Sequence, residues 1–331
     1  MPRPSRMFPC LRSCLAALAL LLLAGASQAA GRQPLTLAVS RGGVSLLVYV
    51  AEARRYFADE GADVRTVNCA SGRACLGLVS DGLADVATAA ELAVVMSAAG
   101  ARGDLAILGS ISTSAHQIKL VARRSAGITQ PADLADKRVG TVGGTSAQYF
   151  LAAWLQHHGV GPVRMQSMAP EQLAGALQSG AVDAIVIWEP LAAQAQRELR
   201  DDAIELPNPS IYTQHFVLAG TQRVLREKEE SLLRLLRALL RAQQYIADEP
   251  ARATQILATR LGMLPADAAR FLGEHDYRLR LDATLLPTMT AQARWAVREG
   301  LAPAEAGSGG LARLVEPRLL QRVSPAAVAP R

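Results

Sequence analysis

A glycine turn between a short apolar run and a helix-like segment has the composition of an anion-binding site. Residues 139–142 are predicted as a buried strand, Gly143 and Gly144 as the turn, and Thr145 and Ser146 as the start of a helix. Glycine allows positive φ and lets a ligand approach the backbone. The start of a helix leaves N–H groups unpaired and carries partial positive charge. We therefore expect this turn to contact an anion or a polar oxygen.

A second interpretation of the same turn stays open. Residues 145–148, Thr-Ser-Ala-Gln, fit a capping box, in which side chains satisfy some of those N–H groups internally. The turn is neither a dinucleotide fingerprint, since no Gly-x-Gly-x-x-Gly occurs, nor a P-loop, since no lysine follows it. Sequence alone does not separate ligand binding from helix capping here.

Two segments, 77–92 and 175–190, repeat one pattern at an offset of 98 residues. Each reads as a helix ended by glycine, a turn with aspartate, a buried strand and a glutamate at the strand's carboxyl end. The paired positions are Gly82 with Gly180, Asp85 with Asp183, and Glu91 with Glu189. Ligands of α/β sheets bind outside the carboxyl ends of strands. The repeat therefore indicates two similar lobes facing a shared cleft, with chance similarity of two ordinary units as the alternative.

Glu91 and Glu189 are predicted to face each other across this cleft. Their carboxylates can accept hydrogen bonds from a ligand or pair with Arg41. The alternative is that they cap helices or form salt bridges at the rim. Trp188, beside Glu189, is expected either to form a wall of the pocket or to lie in a core.

Histidines and catalytic motifs point to no chemistry beyond binding. His116 and His215 lie at the two predicted crossings between the lobes, where they could reach a ligand, but we favour ordinary hinge or surface roles. Neither a Gly-x-Ser-x-Gly elbow nor a His-Glu-x-x-His motif occurs. We expect no catalytic residues, no metal site and no cofactor.

The first 29 residues read as a secretory signal peptide. Three arginines precede an unbroken apolar run at 15–26, and small residues at 27 and 29 provide a cleavage site. No second apolar run approaches membrane-spanning length. We expect cleavage near Ala29 and an exported, soluble protein.

Charge argues against nucleic-acid binding. The full chain carries 35 basic and 29 acidic residues, and removal of the signal peptide with its three arginines leaves 32 against 29, or +3. The charges are scattered, and aromatic residues make up only 4% of the chain.

Cys69 and Cys75 are the two cysteines beyond the signal peptide. Export places them in an oxidising compartment, so we expect a disulfide. Two buried or idle thiols are the alternative, and the spacing is wrong for a common zinc motif.

Strands alternating with helices indicate an α/β fold with a parallel sheet. The predicted strands are 35–39, 63–67, 85–90, 106–108, 117–122, 139–142 and 211–219, and the predicted helices are 45–60, 227–248, 251–261, 265–273 and 286–300. We expect lobe 1 to comprise 34–116 and 217–301, and lobe 2, with the hinge crossings, 117–216. Residues 302–331 are predicted as a loosely attached tail with one short helix around 311–321.

Several spaced motifs resemble one family. They are 127–140 with Asp-Leu-Ala-Asp-Lys-Arg-Val-Gly at its end, Gly-Thr-Ser at 144–146, Ala-Leu-Gln-Ser-Gly-Ala-Val-Asp-Ala at 176–184, Trp-Glu-Pro at 188–190 and Ala-Glu-Ala-Arg-Arg-Tyr-Phe-Ala-Asp-Glu-Gly at 51–61. In this order they resemble the ABC-transporter substrate-binding proteins of the NMT1/THI5-like (SsuA-like) family, over roughly residues 34–300. The resemblance implies a type 2 periplasmic-binding fold, in which two α/β lobes are joined by a two-segment hinge.

The resemblance also implies a ligand site. Its contacts would be Ser40, Arg41, Ser71, Gly72, Ala90, Glu91, Gly144, Thr145, Ser146, Trp188 and Glu189. The cysteine pair departs from many relatives and, if bridged, would stiffen one wall of the cleft.

Two functions follow from the resemblance. The first is a periplasmic, monomeric receptor that captures a sulfonate, taurine, nitrate or nitrogen heterocycle and presents it to an ABC permease in the inner membrane. The second is an enzyme on the same scaffold, desulfinase-like or pyrimidine-synthase-like, which would need Cys69 or Cys75 as a free thiolate. A receptor that serves a sensor instead of a permease is a third option.

Overall fold

The computed structural model describes residues 33–100, 104–307 and 310–329. The expected signal peptide at 1–29 lies outside these residues. Within them, no helix combines the length and the apolar character that a membrane span requires.

Ten strands of the described chain form two five-stranded sheets with the same topology. They are β1 Leu35–Ser40, β2 Val64–Cys69, β3 Val86–Ala90, β4 Leu105–Ser114, β5 Ile118–Arg123, β6 Arg138–Thr141, β7 Arg164–Ser167, β8 Ala184–Trp188, β9 Ala203–Glu205 and β10 Gln214–Thr221. The strand orders are β2-β1-β3-β10-β4 and β7-β6-β8-β5-β9. In each sheet four strands run in the same direction, and the remaining strand, β10 or β5, runs antiparallel to them. We call the unit around the first sheet lobe 1 and that around the second lobe 2.

Helices cover both sheets. They are α1 Leu46–Ala53, α2 Tyr56–Asp59, α3 Gly72–Ser80, α4 Glu91–Ala99, α5 Ser146–His158, α6 Pro170–Gln178, α7 Leu191–Leu199, α8 Gln222–Glu227, α9 Glu229–Asp248, α10 Pro250–Leu261, α11 Pro265–Gly273, α12 Leu285–Arg298 and α13 Arg318–Val323. The leucine stripe of α9 packs into the core of lobe 1, where Leu232, Leu235 and Leu239 are fully buried. The mixed α/β class with two sheets is confirmed.

Two helix predictions needed correction. The helix expected over 45–60 is divided into α1 and α2, because Arg55 adopts a left-handed conformation with φ 60°. The helix expected from 227 begins at Glu229, after a break at Lys228. Neither break has a glycine or proline to mark it in the sequence.

Two strands at the outer positions of the second sheet were not predicted from the sequence. All four residues of β7 are exposed, so they show no apolar alternation, and β9 is only three residues long. Both receive their strand geometry from the neighbouring strand, β6 or β5.

The 98-residue repeat corresponds to the same position in both sheets. β3 and β8 each occupy the centre of a sheet, and each is preceded by a glycine with positive φ, Gly82 at 72° and Gly180 at 76°. Asp85 accepts a hydrogen bond from the backbone N–H of Thr36 at 2.8 Å, and Asp183 accepts one from that of Arg138 at 3.0 Å. The aspartates therefore anchor the starts of the adjacent strands β1 and β6.

We expected the C-terminal segment to be a loosely attached tail, and this prediction is wrong. Leu319 and Leu320 are fully buried in the core of lobe 1. Val315 forms a parallel bridge with Ile107, and Val328 forms one with Leu281. The described part of this segment, 310–329, therefore completes lobe 1. The sequence hid this because its alanine and proline content resembles that of a linker.

Candidate functional site

A cavity of about 250 Å³ lies between the two lobes, where the parallel strands of both sheets end. Ser40 ends β1, Ala90 ends β3 and Trp188 ends β8, so strand ends from both sheets contribute to its wall. Ten of the eleven residues expected at a ligand site line it, namely Ser40, Arg41, Ser71, Gly72, Ala90, Gly144, Thr145, Ser146, Trp188 and Glu189. The exception is Glu91. Their role in ligand binding stays a prediction.

The glycine turn forms the lobe 2 wall of this cavity. The N–H of Gly143 donates to Ser167 Oγ at 3.0 Å, and the N–H of Gly144 donates to Gln148 Oε1 at 2.7 Å. Gly144 has φ 65°, which favours glycine. A Cβ at Gly143 would lie 2.6 Å from Ser167 Oγ, so a side chain there would have to displace this hydroxyl and its hydrogen bond.

Helix capping in this turn is incomplete and leaves two N–H groups free. Thr145 is the N-cap of α5, but its hydroxyl donates to Val142 O at 2.6 Å instead of accepting from the helix. Gln148 provides the capping that the sequence suggested, though to Gly144. Within the described chain, the N–H groups of Thr145 and Ser146 have no hydrogen-bond partner, so they remain available to an anion.

Two arginines supply positive charge from lobe 1. Arg41 and Arg73 line the cavity with exposed side chains, and neither forms an ion pair with any described acidic residue. The Arg73 guanidinium donates through Nη2 to Gly144 O, across the cavity, at 2.7 Å. Arg73 was not among the residues predicted from the sequence, although its position just after Ser71 and Gly72 was a usable signal.

Ser71 and Gly72 place Arg73 at the start of α3. Ser71 is the N-cap, and its hydroxyl accepts from Ala74 N at 3.2 Å. A Cβ at Gly72 would lie 2.8 Å from Ala89 Cα, so only glycine lets this loop pack against the end of β3.

The expected disulfide is confirmed. Cys69 at the end of β2 is bonded to Cys75 in the first turn of α3, with Cα atoms 5.5 Å apart. Cys75 is fully buried and Cys69 is 8% exposed. The bridge encloses Ser71, Gly72 and Arg73.

Glu189 lines the cavity, but its charge is partly compensated. One carboxylate oxygen accepts from Ala193 N at 3.0 Å, which caps α7, and Oε1 lies 3.4 Å from Arg270 Nη2 of lobe 1. Burial raises the pKa of Glu189, against the lowering effects of the Ala193 N–H, Arg270 and Lys119. The capping and rim pairing that we considered as the alternative are both present.

Glu91 does not reach the cavity, and so it does not meet Glu189 or Arg41. Its side chain is fully buried. It accepts hydrogen bonds from the Tyr212 hydroxyl, from Gln292 Nε2 at 2.7 Å and from His215 N at 3.0 Å. Burial raises the pKa of Glu91 to about 7, although these three donors lower it. The sequence could not show this, because the donors are 121 or more residues away.

The two histidines at the crossings also lie outside the cavity wall. His215 is fully buried on β10, between Ser110 Oγ at 3.2 Å and Thr284 Oγ1 at 3.1 Å. Burial lowers its pKa. The N–H of His116 donates to Ser114 Oγ at 2.9 Å in the first crossing.

Further cavity residues come from the crossings themselves. Gln117, Gln214 and Phe216 line the cavity and are nearly buried. Gln117 Nε2 donates to Glu189 O at 3.2 Å, and its Oε1 lies 2.9 Å from His275 Nε2 of lobe 1. The segments that join the lobes therefore form the wall of the cavity at the hinge. Trp188 is half-buried, so it forms cavity wall while it also packs on the core of lobe 2.

Comparison with known proteins identifies the fold and the family. The family model described as NMT1/THI5 like matches residues 44–253. No curated protein matches the chain.

Several solved structures share the whole architecture. The periplasmic aliphatic sulphonate binding protein SsuA from Escherichia coli has TM-score 0.73 and 16% identity, over 83% of this chain and 95% of that one. The alkanesulfonate-binding protein SsuA from Xanthomonas axonopodis pv. citri, bound to MOPS, has TM-score 0.74 and 20% identity, over 86% and 98%. The nitrate-binding protein NrtA from Synechocystis PCC 6803 has TM-score 0.71 and 14% identity, over 89% of each chain.

These similarities confirm the periplasmic-binding fold that the spaced motifs implied. The family model covers both central strand-and-glutamate units, the glycine turn and the two crossings. The chain belongs to the NMT1/THI5-like family.

Proposed function

We propose that the protein is the solute-binding receptor of an ABC importer, and that it captures a small organic anion between its two lobes. The observation that carries this proposal is the charge of the cavity. Arg41 and Arg73 enter it without acidic partners among the described residues, and the free N–H groups of Thr145 and Ser146 lie opposite.

The position of Glu91 narrows the ligand class. With both glutamates in the cleft, a zwitterion or a nitrogen heterocycle would have matched the charges. Glu91 is buried elsewhere, and Glu189 lies near Arg270. The net charge of the side chains around the cavity is therefore positive, which favours a sulfonate or a similar anion as the ligand. Glu189 Oε1 is buried and lies 3.4 Å from Arg270 Nη2, so the charge of this carboxylate is offset beside the cavity.

Capture follows from the two-lobed architecture. A ligand that contacts both lobes binds the closed form better than the open one, so it shifts the population toward closure. The signal peptide expected at 1–29 would deliver the receptor to the periplasm, and the closed form would be presented to a permease. We expect a monomer.

The enzyme alternative needs a free thiolate. Cys69 and Cys75 are bonded to each other, so neither can act as a nucleophile in this state. A thiol titration of the native mature protein should find no reactive thiol. Two reactive thiols would favour the enzyme.

The decisive experiment is a binding screen on the mature protein. MOPS, ethanesulfonate, taurine and nitrate would be tested by thermal shift and by calorimetry, with choline as a cationic control. We expect at least one anion to raise the melting temperature and choline to leave it unchanged. Arg41→Ala should lower the affinity for that anion by about tenfold or more. The matched control is Arg65→Ala, an exposed arginine on β2 outside the cavity. Equal effects of the two variants, or stabilisation by choline alone, would contradict the proposal.

A further inference from the structure

One side chain of lobe 1 touches the backbone of lobe 2 across the cavity. Arg73 Nη2 donates to Gly144 O at 2.7 Å. A Cβ on Gly144 would lie 3.0 Å from that same Nη2, so glycine leaves room for the guanidinium. Because Arg73 and Gly144 belong to different lobes, this hydrogen bond exists only while the lobes are close together.

Arg73 has donors to spare. A guanidinium carries five N–H donors in a rigid fork. The hydrogen bond to Gly144 O uses one of these N–H donors. No acidic side chain of the described chain accepts a hydrogen bond from the remaining donors. The side chain is exposed and lines the cavity. The remaining donors can therefore serve an anionic group, which arginine holds with charge-assisted and often bidentate hydrogen bonds.

The loop that carries Arg73 is fixed at both ends. The Cys69–Cys75 disulfide ties the end of β2 to the first turn of α3, and Arg73 lies inside this loop. The N–H of Cys75 donates to Ser71 O at 3.0 Å. Gly72 packs directly on Ala89 of β3. This bracing limits where the Arg73 Cα can move when the lobes open.

We propose that Arg73 is a specificity-determining residue that couples recognition of the ligand's anionic group to closure of the lobes, and that the disulfide holds it in position. This inference rests on the proposed function. One guanidinium contacts the anion and the Gly144 carbonyl in the same closed state, so each contact favours the other. Arg41, in contrast, supplies charge without a hydrogen bond to lobe 2 among the described residues.

The first test compares Arg73→Gln and Arg73→Lys with the matched control Arg65→Gln. The dissociation constant of the tightest of MOPS, ethanesulfonate and nitrate would be measured by calorimetry, and the radius of gyration with and without that anion by X-ray scattering. Arg73→Gln should raise the dissociation constant of the anion at least tenfold. It should also reduce the decrease in radius of gyration that the anion causes. Arg73→Lys keeps the charge but loses the fork, so it should fall between wild type and Arg73→Gln. Arg65→Gln should stay within about twofold of wild type.

The outcomes separate the two proposals. If wild type binds an anion and Arg73→Gln binds it equally well, the inference about Arg73 is wrong while the receptor proposal stands. If the wild-type protein binds none of the anions, the proposed function fails and the inference fails with it.

The second test addresses the disulfide. The double variant Cys69→Ser/Cys75→Ser should remain folded, as judged by circular dichroism, and should lose affinity for the anion as Arg73→Gln does. Adding Arg73→Gln to it should cost little more, because both changes act through one side chain. A double variant that melts at lower temperature but keeps wild-type affinity would show that the bridge is structural only and would overturn its positioning role.

Discussion

Glu91 holds the second crossing between the lobes to lobe 1. Its carboxylate accepts from the Tyr212 hydroxyl and the His215 N–H on one side and from Gln292 of α12 on the other. Tyr212 in turn stacks edge-on against Tyr149 of lobe 2, with ring centroids 5.1 Å apart. A single buried carboxyl group therefore connects helix α12, the crossing and, through Tyr212, lobe 2.

The first prediction concerns the protonation of Glu91. Its pKa is about 7 in the folded protein, above the ordinary 4.5, so folding favours the protonated form. The stabilising contribution is full below about pH 4.5 and is lost as the pH rises through about 7. Relative to Glu91→Gln, the free energy of unfolding of wild type should fall by about 2 to 3 kcal/mol between about pH 5 and pH 8.

Urea denaturation at several pH values measures this difference. Glutamine keeps the shape of the protonated acid but does not titrate, so the variant serves as the reference at each pH. Parallel curves for the two proteins would show that Glu91 does not titrate in this range.

The second prediction concerns Trp188 at the end of β8. The half-buried indole forms part of the cavity wall, and a truncated aromatic anchor commonly costs more than 1 kcal/mol of binding. Trp188→Ala should lower the affinity for the anion found in the screen by about tenfold, and Trp188→Phe should retain most of that affinity. Calorimetry measures both, and unchanged affinity of Trp188→Ala would remove the indole from the site.

Secondary-structure elements were predictable where one residue pattern decided them. The strands ending at Ala90 and Trp188 and the leucine face of α9 were visible as apolar periodicity. β7 was not, because all four of its residues are exposed and its strand geometry comes from pairing with β6. The break at Arg55 was not either, because a left-handed arginine has no sequence signal.

The candidate site shows the same division. Ten of the residues that the family resemblance implied surround the cavity, because the motifs that carry it lie near the strand ends that meet there. Glu91 was misplaced because its donors come from distant parts of the chain. Arg73 was missed although it directly follows Ser71 and Gly72, and the sequence does not show that its side chain crosses to Gly144.

The third prediction tests whether the C-terminal segment belongs to the core. Leu320 of α13 is fully buried, whereas Leu264 at the start of α11 is 63% exposed. Leu320→Ala should lower the free energy of unfolding by about 2 to 5 kcal/mol, and Leu264→Ala should change it by no more than about 0.5 kcal/mol. Urea denaturation compares the two, and a small effect at Leu320 would mean that the segment is dispensable.

At the scale of the whole molecule, charged groups link the lobes beside the cavity. Arg197 of α7 lies 2.9 Å from Asp267 of α11, and Arg270 of α11 lies 3.4 Å from Glu189. The Arg197 side chain is 52% exposed, so its pair with Asp267 should be worth at most about 1 kcal/mol. Such a pair can adjust the balance between open and closed forms without fixing it.

The fourth prediction follows from this pair. Asp267→Asn should shift the ligand-free protein toward the open form and lower the affinity for the anion by at most about fivefold, since the contact is exposed. Arg197→Gln should have a similar effect, and combining it with Asp267→Asn should cost little more than either change alone. X-ray scattering and calorimetry at low and high salt would measure the three variants, and fully additive losses would show that the pair does not couple the lobes.

The packing of residues 310–329 also makes lobe 1 the more discontinuous of the two folding units. All strands of the second sheet lie between Ile118 and Glu205, so that sheet forms from one continuous stretch of chain. Lobe 1 must gather separated stretches, because Ile107 bridges to Val315 and Leu281 bridges to Val328. Contacts between residues far apart in sequence form slowly, so we expect lobe 1, and with it the cavity between the lobes, to be completed after lobe 2.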